Sequence, residues 1–111
     1  MCIINHSRRF IFVHVPKCAG TTVAEHFSRF STYRDLEIGA TALGEAVAAH
    51  YQERFGLAKH STLEEIARVV GEEEIQSFLT FGFVRNPYDR VVSIFTFLRS
   101  WTGWPIHEVL Q

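Results

Sequence analysis

Two apolar segments, each followed directly by a turn and a helical pattern, constrain the fold more than any other feature of the sequence. The first, residues 9–15 (RFIFVHV), is nearly continuous in Phe, Ile and Val and ends at Pro16. The second, residues 79–84 (LTFGFV), ends at Arg85. Short, continuous apolar runs are typical of strands that are covered on both faces, as in a parallel sheet. The strand–turn–helix order therefore predicts an α/β protein with a parallel sheet.

Capping residues predict where the helices beside these strands begin. Thr21 or Thr22 is expected to cap the helix that follows the first strand. Asn86 is expected to cap the helix that follows the second strand, with Pro87 at its first position. Both helices would then start at the carboxyl end of a strand.

The segment between the two strands predicts two further helices and one short strand. One helix is expected to open at Thr41 and to end at Gly56. The next begins at a capping box, for which the sequence offers two pairs: Ser61 with Glu64, or Thr62 with Glu65. Residues 33–38 (YRDLEI) predict a short strand at the edge of the sheet.

Length, charge and cysteine content exclude several classes of protein. With 111 residues the chain is expected to form a single domain, and its net charge of −1 gives no general attraction to nucleic acid. Cys2 and Cys18 have neither metal-ligand spacing nor a disulfide framework, which predicts reduced thiols in a cytoplasmic protein. No window approaches the roughly 18 apolar residues of a membrane helix, and the N-terminus does not resemble a signal peptide.

The first turn, residues 16–22 (PKCAGTT), has the residue types of an anion-binding loop. Gly20 lets the backbone approach a ligand closely, and the helix behind it directs free N–H groups and a positive dipole end at the turn. Lys17 adds a full charge, and two threonine hydroxyls add donors. A plain strand–helix turn with a solvent-facing lysine would have the same residues. The Walker pattern GxxxxGK[ST] is absent, so an ordinary ATP-binding loop is a poor match.

The second turn, within residues 83–95 (FVRNPYDRVVSIF), offers an arginine and a serine to an anion. Arg85 presents a fork of N–H donors that suits an oxyanion, and Ser93 follows two turns into the helix. An ordinary capped helix with a surface arginine explains the same pattern, because Asn-Pro is a common helix start.

Taken together, the two turns resemble those of the sulfotransferases that use 3′-phosphoadenosine-5′-phosphosulfate (PAPS), in particular the carbohydrate sulfotransferases and their bacterial relatives. FVHVPKCAGTTV is similar to the family's 5′-phosphosulfate loop, F-x-H-x-P-K-T-x-G-T-[ST], with Cys18 in place of the usual Thr. FVRNPYDRVVSIF is similar to its 3′-phosphate element, R-[DN]-P-[FWY]-x-R-x-x-S. The resemblance implies a P-loop-like three-layer αβα fold in a short or incomplete version. It corresponds to the N-terminal half of the family domain, with the phosphosulfate loop at 14–22 and the 3′-phosphate element at 83–95.

The resemblance implies that the chain transfers a sulfuryl group from PAPS to a hydroxyl group. The expected acceptor is a carbohydrate or another small molecule. Lys17 would stabilise charge on the leaving phosphate, and no metal would be required. Arg85 and Ser93 would bind the 3′-phosphate. The remaining cofactor-binding positions implied by the loop are Pro16, Lys17, Cys18, Ala19, Gly20, Thr21 and Thr22.

A base must take the proton of the acceptor, and the sequence offers two candidates. His60 comes first, because it precedes a helix in the region where some carbohydrate sulfotransferases place their catalytic histidine. Glu25, on the first helix behind the loop, comes second. Each has a simpler interpretation, as a polar residue before a helix cap or as a solvated helix residue. His14 points from a strand and is expected to be packed or hydrogen-bonded.

Two other functions stay open at the level of sequence. One is a non-catalytic nucleotide-binding or interaction module derived from the same family. The other is an atypical small P-loop kinase, which the missing Walker pattern disfavours. The small number of predicted strands also leads us to expect a homo-oligomer in which a second copy covers the edge of the sheet.

Overall fold

The computed structural model describes residues 2–103, and it contains a strand that the sequence analysis missed. The elements, in chain order, are β1 Cys2–Asn5, β2 Phe10–Phe12, α1 Gly20–Ser28, β3 Leu36–Ile38, α2 Ala42–Phe55, α3 Leu63–Val70, α4 Glu72–Ile75, β4 Leu79–Phe81 and α5 Pro87–Thr102. The missed strand is β1, whose four residues are all buried. Its connection to β2 lacks the Asn-Gly or Gly-Gly pair by which a hairpin is usually recognised.

The four strands form one mixed sheet in the order β3-β1-β2-β4. Strand β1 pairs antiparallel with both β2 and β3, whereas β2 and β4 run parallel. The predicted α/β class is therefore confirmed, and the predicted parallel pairing holds for the two strands on which the sequence analysis was based. The sheet as a whole is only partly parallel, because β1 runs antiparallel to both of its neighbours.

The two edge strands differ from one another in how well they were predicted. The short edge strand expected within residues 33–38 is present as β3. Strand β4 was expected to be buried, but it also lies at an edge, and Leu79 is 69% exposed. Residues 82–84, predicted as part of this strand, continue beyond the ladder as a loop. The apolar run thus predicts the position of β4 correctly, but it does not show that β4 lies at an edge with no strand paired on its other side.

The core lies on both faces of the central strands. Along β1 the side chains alternate, so that Ile4 packs in one cluster and Ile3 in the other. Helices α2 and α3 cover the first face, to which the loop residue Leu57 and Ile66 of α3 contribute fully buried side chains. Helix α1 covers the second face through Ala24. Helices on both faces of a sheet are compatible with the three-layer αβα arrangement.

The capping predictions hold for three helices. The Thr41 hydroxyl accepts from the backbone N–H of Gly44 at 3.0 Å, at the start of α2. Of the two pairs offered for α3, Thr62 and Glu65 form the capping box. Asn86 caps α5, its side-chain oxygen accepting from the N–H of Tyr88 at 3.0 Å.

Helix α1 begins earlier than predicted. Its N-cap is Ala19, which has left-handed backbone angles (φ 59°) and makes no side-chain capping bond. Thr21 and Thr22 are therefore the second and third helical residues, not caps. The shift has a local cause: the left-handed residue turns the chain into the helix before the threonines are reached. It leaves both threonines inside the first helical turn.

Helix α5 differs from the other long elements because none of its residues is buried. Its exposed apolar side chains include Tyr88, Val91, Val92 and Trp101. Within residues 2–103, no helix combines the length and the apolar character that crossing a membrane requires.

Candidate anion-binding site

The two predicted anion-binding turns lie side by side. They follow β2 and β4, which are neighbouring parallel strands and so end at the same edge of the sheet. The pairing extends one residue past the ladder, because the N–H of Val13 donates to the carbonyl of Phe81 at 2.9 Å. In sheets with parallel strands, ligands bind beyond the carboxyl ends of such neighbours.

A cavity of about 580 Å³ occupies this edge of the sheet. It brings together most of the residues predicted for the site: Pro16, Lys17, Ala19, Gly20, Thr21, Thr22, His60, Arg85 and Ser93. The other lining residues are His14, Lys59, Ile94, Phe97 and Leu98. Among all the lining residues, Lys17, Lys59 and Arg85 are cationic and none is a carboxylate. The cavity therefore favours an anionic ligand.

Two of the predicted residues lie outside this lining. Cys18 is buried, with a relative exposure of 4%, so its side chain packs in the interior and only its backbone could serve the loop. Glu25 is exposed on α1 and does not line the cavity. Between the two candidate bases, the structure therefore groups His60 with the loop and leaves Glu25 apart from it.

The loop after β2 has a strained backbone. Lys17 (φ 62°) and Ala19 (φ 59°) both adopt left-handed angles without being glycine. Such a conformation costs roughly 1–2 kcal/mol per residue, and it persists only where the surroundings impose it. Strain of this kind is common where backbone geometry serves a ligand. Here Lys17 and the first residues of α1 line the same cavity.

Gly20 is required by contact with a side chain and not by its backbone angles. A β-carbon at this position would overlap the imidazole ring of His14. His14 is itself buried, with 7% exposure, as expected for a residue that points from the strand region. The first turn of α1 thus packs directly against the His14 ring, and this close approach is possible because Gly20 has no side chain.

The N-terminus of α1 provides backbone donors for an anion. The first intrahelical bond runs from the N–H of Val23 to the carbonyl of Ala19 at 3.2 Å. The N–H groups of Gly20, Thr21 and Thr22 precede it and have no acceptor within the helix. Together with the helix dipole they favour a phosphate or sulfate group at this point.

Three contacts join the loop after β2 to α5 and to the loop that precedes it. Arg85 Nη1 lies 3.5 Å from the carbonyl oxygen of Lys17, at the limit of a hydrogen bond, and Arg90 Nε donates to the carbonyl of Pro16 at 3.1 Å. The Lys17 ammonium lies 4.7 Å from the ring centroid of Phe97, a cation–π distance. The two halves of the site are thus connected through the lysine-bearing turn.

A second cavity, of about 400 Å³, adjoins the first along α5. Four residues line both cavities: Lys17, Arg85, Ser93 and Phe97. The second cavity is also lined by Asp89, Val92, Thr96 and Ser100. A ligand with two separated anionic groups could therefore contact the same cations from either side.

His60 and His14 form a pair at one end of the first cavity. Their ring centroids lie 4.6 Å apart, and His60 Nδ1 lies 3.2 Å from the carbonyl oxygen of His14. A carbonyl can only accept, so the proton of a neutral His60 resides on Nδ1 and Nε2 carries the lone pair.

The pKa values of both histidines favour the neutral form. Burial lowers the pKa of His14 from 6.5 to about 4, with smaller contributions from His60 and Lys59. The pKa of His60 is also lowered, mainly by burial, although its bond to His14 opposes this shift. A neutral His60 with its lone pair on Nε2 is chemically able to accept a proton.

Sequence reasoning missed three residues of this region. Lys59 lines the cavity and forms an ion pair with Glu45 at 3.2 Å. Phe97 contacts Lys17, and Arg90 contacts Pro16. Arg90 does occupy the second arginine position of the 3′-phosphate motif, which was a usable signal. Nothing in the sequence marked the other two. Within residues 2–103, no group of three or more His, Cys, Asp or Glu side chains is arranged to hold a metal ion.

The fold and the site define an α/β protein with a cleft, lined by Lys17, Lys59 and Arg85, at the ends of two neighbouring parallel strands. A family model described as "Sulfotransferase family" matches residues 1–102. Because this match covers nearly the whole of the 111-residue chain, the chain belongs to the sulfotransferase family. No curated protein and no solved structure gives a significant match.

Proposed function

We propose that this sulfotransferase-family chain binds PAPS and transfers its sulfuryl group to the hydroxyl of a carbohydrate or similar small acceptor. The observation that carries the proposal is the position of Lys17 and Arg85, which line one cleft at the ends of adjacent parallel strands. PAPS carries anionic groups at both its 5′ and its 3′ positions. Two cations on separate turns suit such a molecule better than a nucleotide charged at one end only.

The 5′ end of the nucleotide is assigned to the loop after β2. Backbone N–H groups of residues 19–22 would bind the 5′-phosphate at the N-terminus of α1. The hydroxyls of Thr21 and Thr22 line the same cavity and add donors. Lys17 would lie beside the phosphate that departs and stabilise its charge.

The 3′-phosphate is assigned to the beginning of α5. Arg85 offers a planar fork of N–H donors, and Ser93 offers a hydroxyl from the same stretch of chain. Both residues line the two adjoining cavities. This pair would distinguish PAPS from ATP, which lacks a phosphate at the 3′ position.

The proposed reaction needs a base and a stabilised leaving group. The acceptor oxygen forms a bond to sulfur, while the bond from sulfur to the 5′-phosphate oxygen breaks and its electron pair stays on 3′-phosphoadenosine-5′-phosphate. His60 Nε2 would take the acceptor's proton, and the ammonium of Lys17 would offset the charge that develops on the leaving phosphate. Most of the catalytic effect would come from positioning and charge stabilisation, as in phosphoryl transfer.

Calorimetry with two nucleotides tests the binding part of this proposal. We expect 3′-phosphoadenosine-5′-phosphate to bind at least about tenfold more tightly than AMP, since a charged hydrogen-bonding group contributes about 1.5–3 kcal/mol. The Lys17→Ala and Arg85→Ala variants should lose affinity. Arg68→Ala is the control, because Arg68 lies on α3 and pairs with Glu64. Equal affinity for the two nucleotides would contradict a 3′-phosphate site.

A transfer assay tests the catalytic part. With ³⁵S-labelled PAPS and a panel of sugars, phenols and peptides, we expect label to appear in a carbohydrate hydroxyl. Nucleotide binding without transfer to any acceptor would instead favour a non-catalytic nucleotide-binding module. Magnesium-dependent consumption of ATP without sulfate transfer would favour a kinase.

Self-association and cellular location also stay as proposals. Strand β4 lies at an edge of the sheet with Leu79 exposed, which supports the expectation that a second copy covers this edge. Light scattering that reports a monomer at all concentrations would contradict it. Cys2 and Cys18 are both unpaired and buried, which supports the cytoplasmic location predicted from the sequence.

A further inference from the structure

The turn that carries Lys17 is held at both of its flanking peptide planes by arginines from the other half of the site. Arg90 Nε donates to the carbonyl of Pro16, which belongs to the peptide plane before the Lys17 α-carbon. Arg85 Nη1 approaches the carbonyl of Lys17, which belongs to the plane after it. The orientations of these two planes set φ and ψ of Lys17, so contacts to both planes restrain its left-handed conformation.

The two arginines are not equivalent. The Arg90 bond is the shorter, at 3.1 Å against 3.5 Å for Arg85. Arg85 lines the cavity, whereas Arg90 does not. A ligand anion that engages Arg85 would therefore compete for its donors and leave Arg90 to hold the turn.

We infer that Arg90 is a positioning residue, which holds the Pro16–Lys17 peptide and thereby directs the Lys17 ammonium for sulfuryl transfer. It acts through the turn and makes no contact with the nucleotide. This inference rests on the proposed function for its catalytic part, while the positioning of the turn stands on the geometry of the unliganded chain. The inference also gives a role to the contact between Arg90 and Pro16, which are 74 positions apart. Burial of α5 does not explain this contact, since no residue of α5 is buried.

Two substitutions of similar length separate the hydrogen bond from the charge. Arg90→Met keeps a long flexible stem and removes the donor, while Arg90→Gln removes the charge but keeps an N–H donor that can reach a carbonyl. Both are good helix formers. Arg99→Met is the matched control, because Arg99 is an exposed arginine in the last turn of the same helix.

Hydrogen–deuterium exchange of the unliganded protein provides a measurement that does not depend on activity. In R90M we expect the amide of Val23, whose hydrogen bond to the Ala19 carbonyl depends on the position of the turn, to exchange at least about threefold faster, with R90Q and R99M close to wild type. Unchanged exchange in R90M overturns the inference. Equal acceleration in R90M and R90Q also overturns it, because the guanidinium charge, and not the bond to Pro16, would then be what matters.

Steady-state kinetics provide the second measurement. R90M should lower kcat about tenfold or more, since small displacements of a catalytic group are costly, while the Kd of 3′-phosphoadenosine-5′-phosphate changes less than about threefold. R90Q should recover most of kcat. A Kd that rises in step with the loss of kcat overturns the inference, because Arg90 would then belong to the nucleotide site.

The failures of the two proposals can be told apart. Faster exchange in R90M, together with a wild-type protein that neither binds the nucleotide nor transfers sulfate, supports the positioning of the turn and contradicts the proposed function. Should R90M not fold, R90Q carries the test by itself. It must keep both the wild-type exchange pattern and kcat, and a tenfold loss of kcat in R90Q overturns the inference.

Discussion

His60 Nδ1 lies 3.2 Å from the backbone carbonyl oxygen of His14, and this contact places the proton of a neutral His60 on Nδ1 and the lone pair on Nε2. The carbonyl belongs to the residue whose ring supports Gly20, at the start of α1. The candidate base and the candidate phosphate loop thus both contact the same residue, His14.

Replacement of His60 should therefore affect the chemical step more than nucleotide binding. We expect His60→Ala to lower kcat by about 10²–10⁴-fold, the usual contribution of a general base, with the Kd of 3′-phosphoadenosine-5′-phosphate nearly unchanged. The pKa of His60 is lowered by burial, so activity should fall only as the pH drops below the ordinary histidine range.

The control for this substitution is His50→Ala, an exposed histidine on α2. It should leave both constants as in wild type. A His60→Ala enzyme with normal kcat would remove His60 from the mechanism, and Glu25→Gln would then be the next variant to examine.

The contact between Gly20 and His14 gives a prediction about stability. Gly20→Ala places a methyl group where the imidazole ring lies, so we expect a loss of about 1–3 kcal/mol in the free energy of unfolding, as for other overpacked sites. Urea denaturation measures it directly.

A double-mutant cycle tests the stated cause. In a protein that already carries His14→Ala, the further change Gly20→Ala should cost much less, because the ring it would strike is absent. If Gly20→Ala costs the same with and without the ring, the strain resides in the backbone and our explanation is wrong.

Local sequence signals predicted the parts of the fold that depend on neighbours in the chain. The capping box of Thr62 and Glu65 and the cap at Asn86 both involve residues at most three positions apart, and both are present. Strand β1 was missed because its identity depends on pairing with β2 and β3, which no pattern within its four residues can express. The start of α1 was misplaced for a related reason: Ala19 adopts a left-handed conformation that its type does not favour.

The candidate site likewise contains residues that the sequence could propose and contacts that it could not. Lys17, Arg85 and Ser93 were proposed from motifs that follow two strands, and the structure brings all three to the lining of one cleft. The contact from Arg90 to Pro16 spans 74 positions and the contact from His60 to the carbonyl of His14 spans 46. Contacts at such separations depend on how the elements pack, so the residues could be proposed from the sequence but their partners could not.

The neutral state of buried His14 predicts that stability depends on pH. Its pKa is about 4 in the folded chain and 6.5 as an unperturbed value, so between these pH values the unfolded state binds more protons. Stability should therefore decrease as the pH falls from about 6.5 to about 4. Since each pKa unit corresponds to about 1.4 kcal/mol, the full loss attributable to His14 is about 3 kcal/mol.

Urea denaturation at pH 7 and at pH 4.5 measures this loss. His14→Gln cannot become charged and should show a smaller difference between the two conditions, whereas the exposed-site variant His50→Gln should keep the wild-type difference. An unchanged pH dependence in His14→Gln would mean that other groups are responsible for the acid destabilisation.

Arg85 and Ser93 should determine the preference for a 3′-phosphate. Calorimetry that compares the affinities for 3′-phosphoadenosine-5′-phosphate and AMP tests this. Arg85→Lys keeps the charge but loses the planar fork, and Ser93→Ala loses one hydroxyl. We expect each substitution to lower the affinity for 3′-phosphoadenosine-5′-phosphate about tenfold and to change the affinity for AMP by less than about twofold. Arg99→Lys, at the far end of α5, should change neither. Equal losses for the two nucleotides would show that the pair recognises the part they share, and the 3′-phosphate would have to be assigned elsewhere in the cleft.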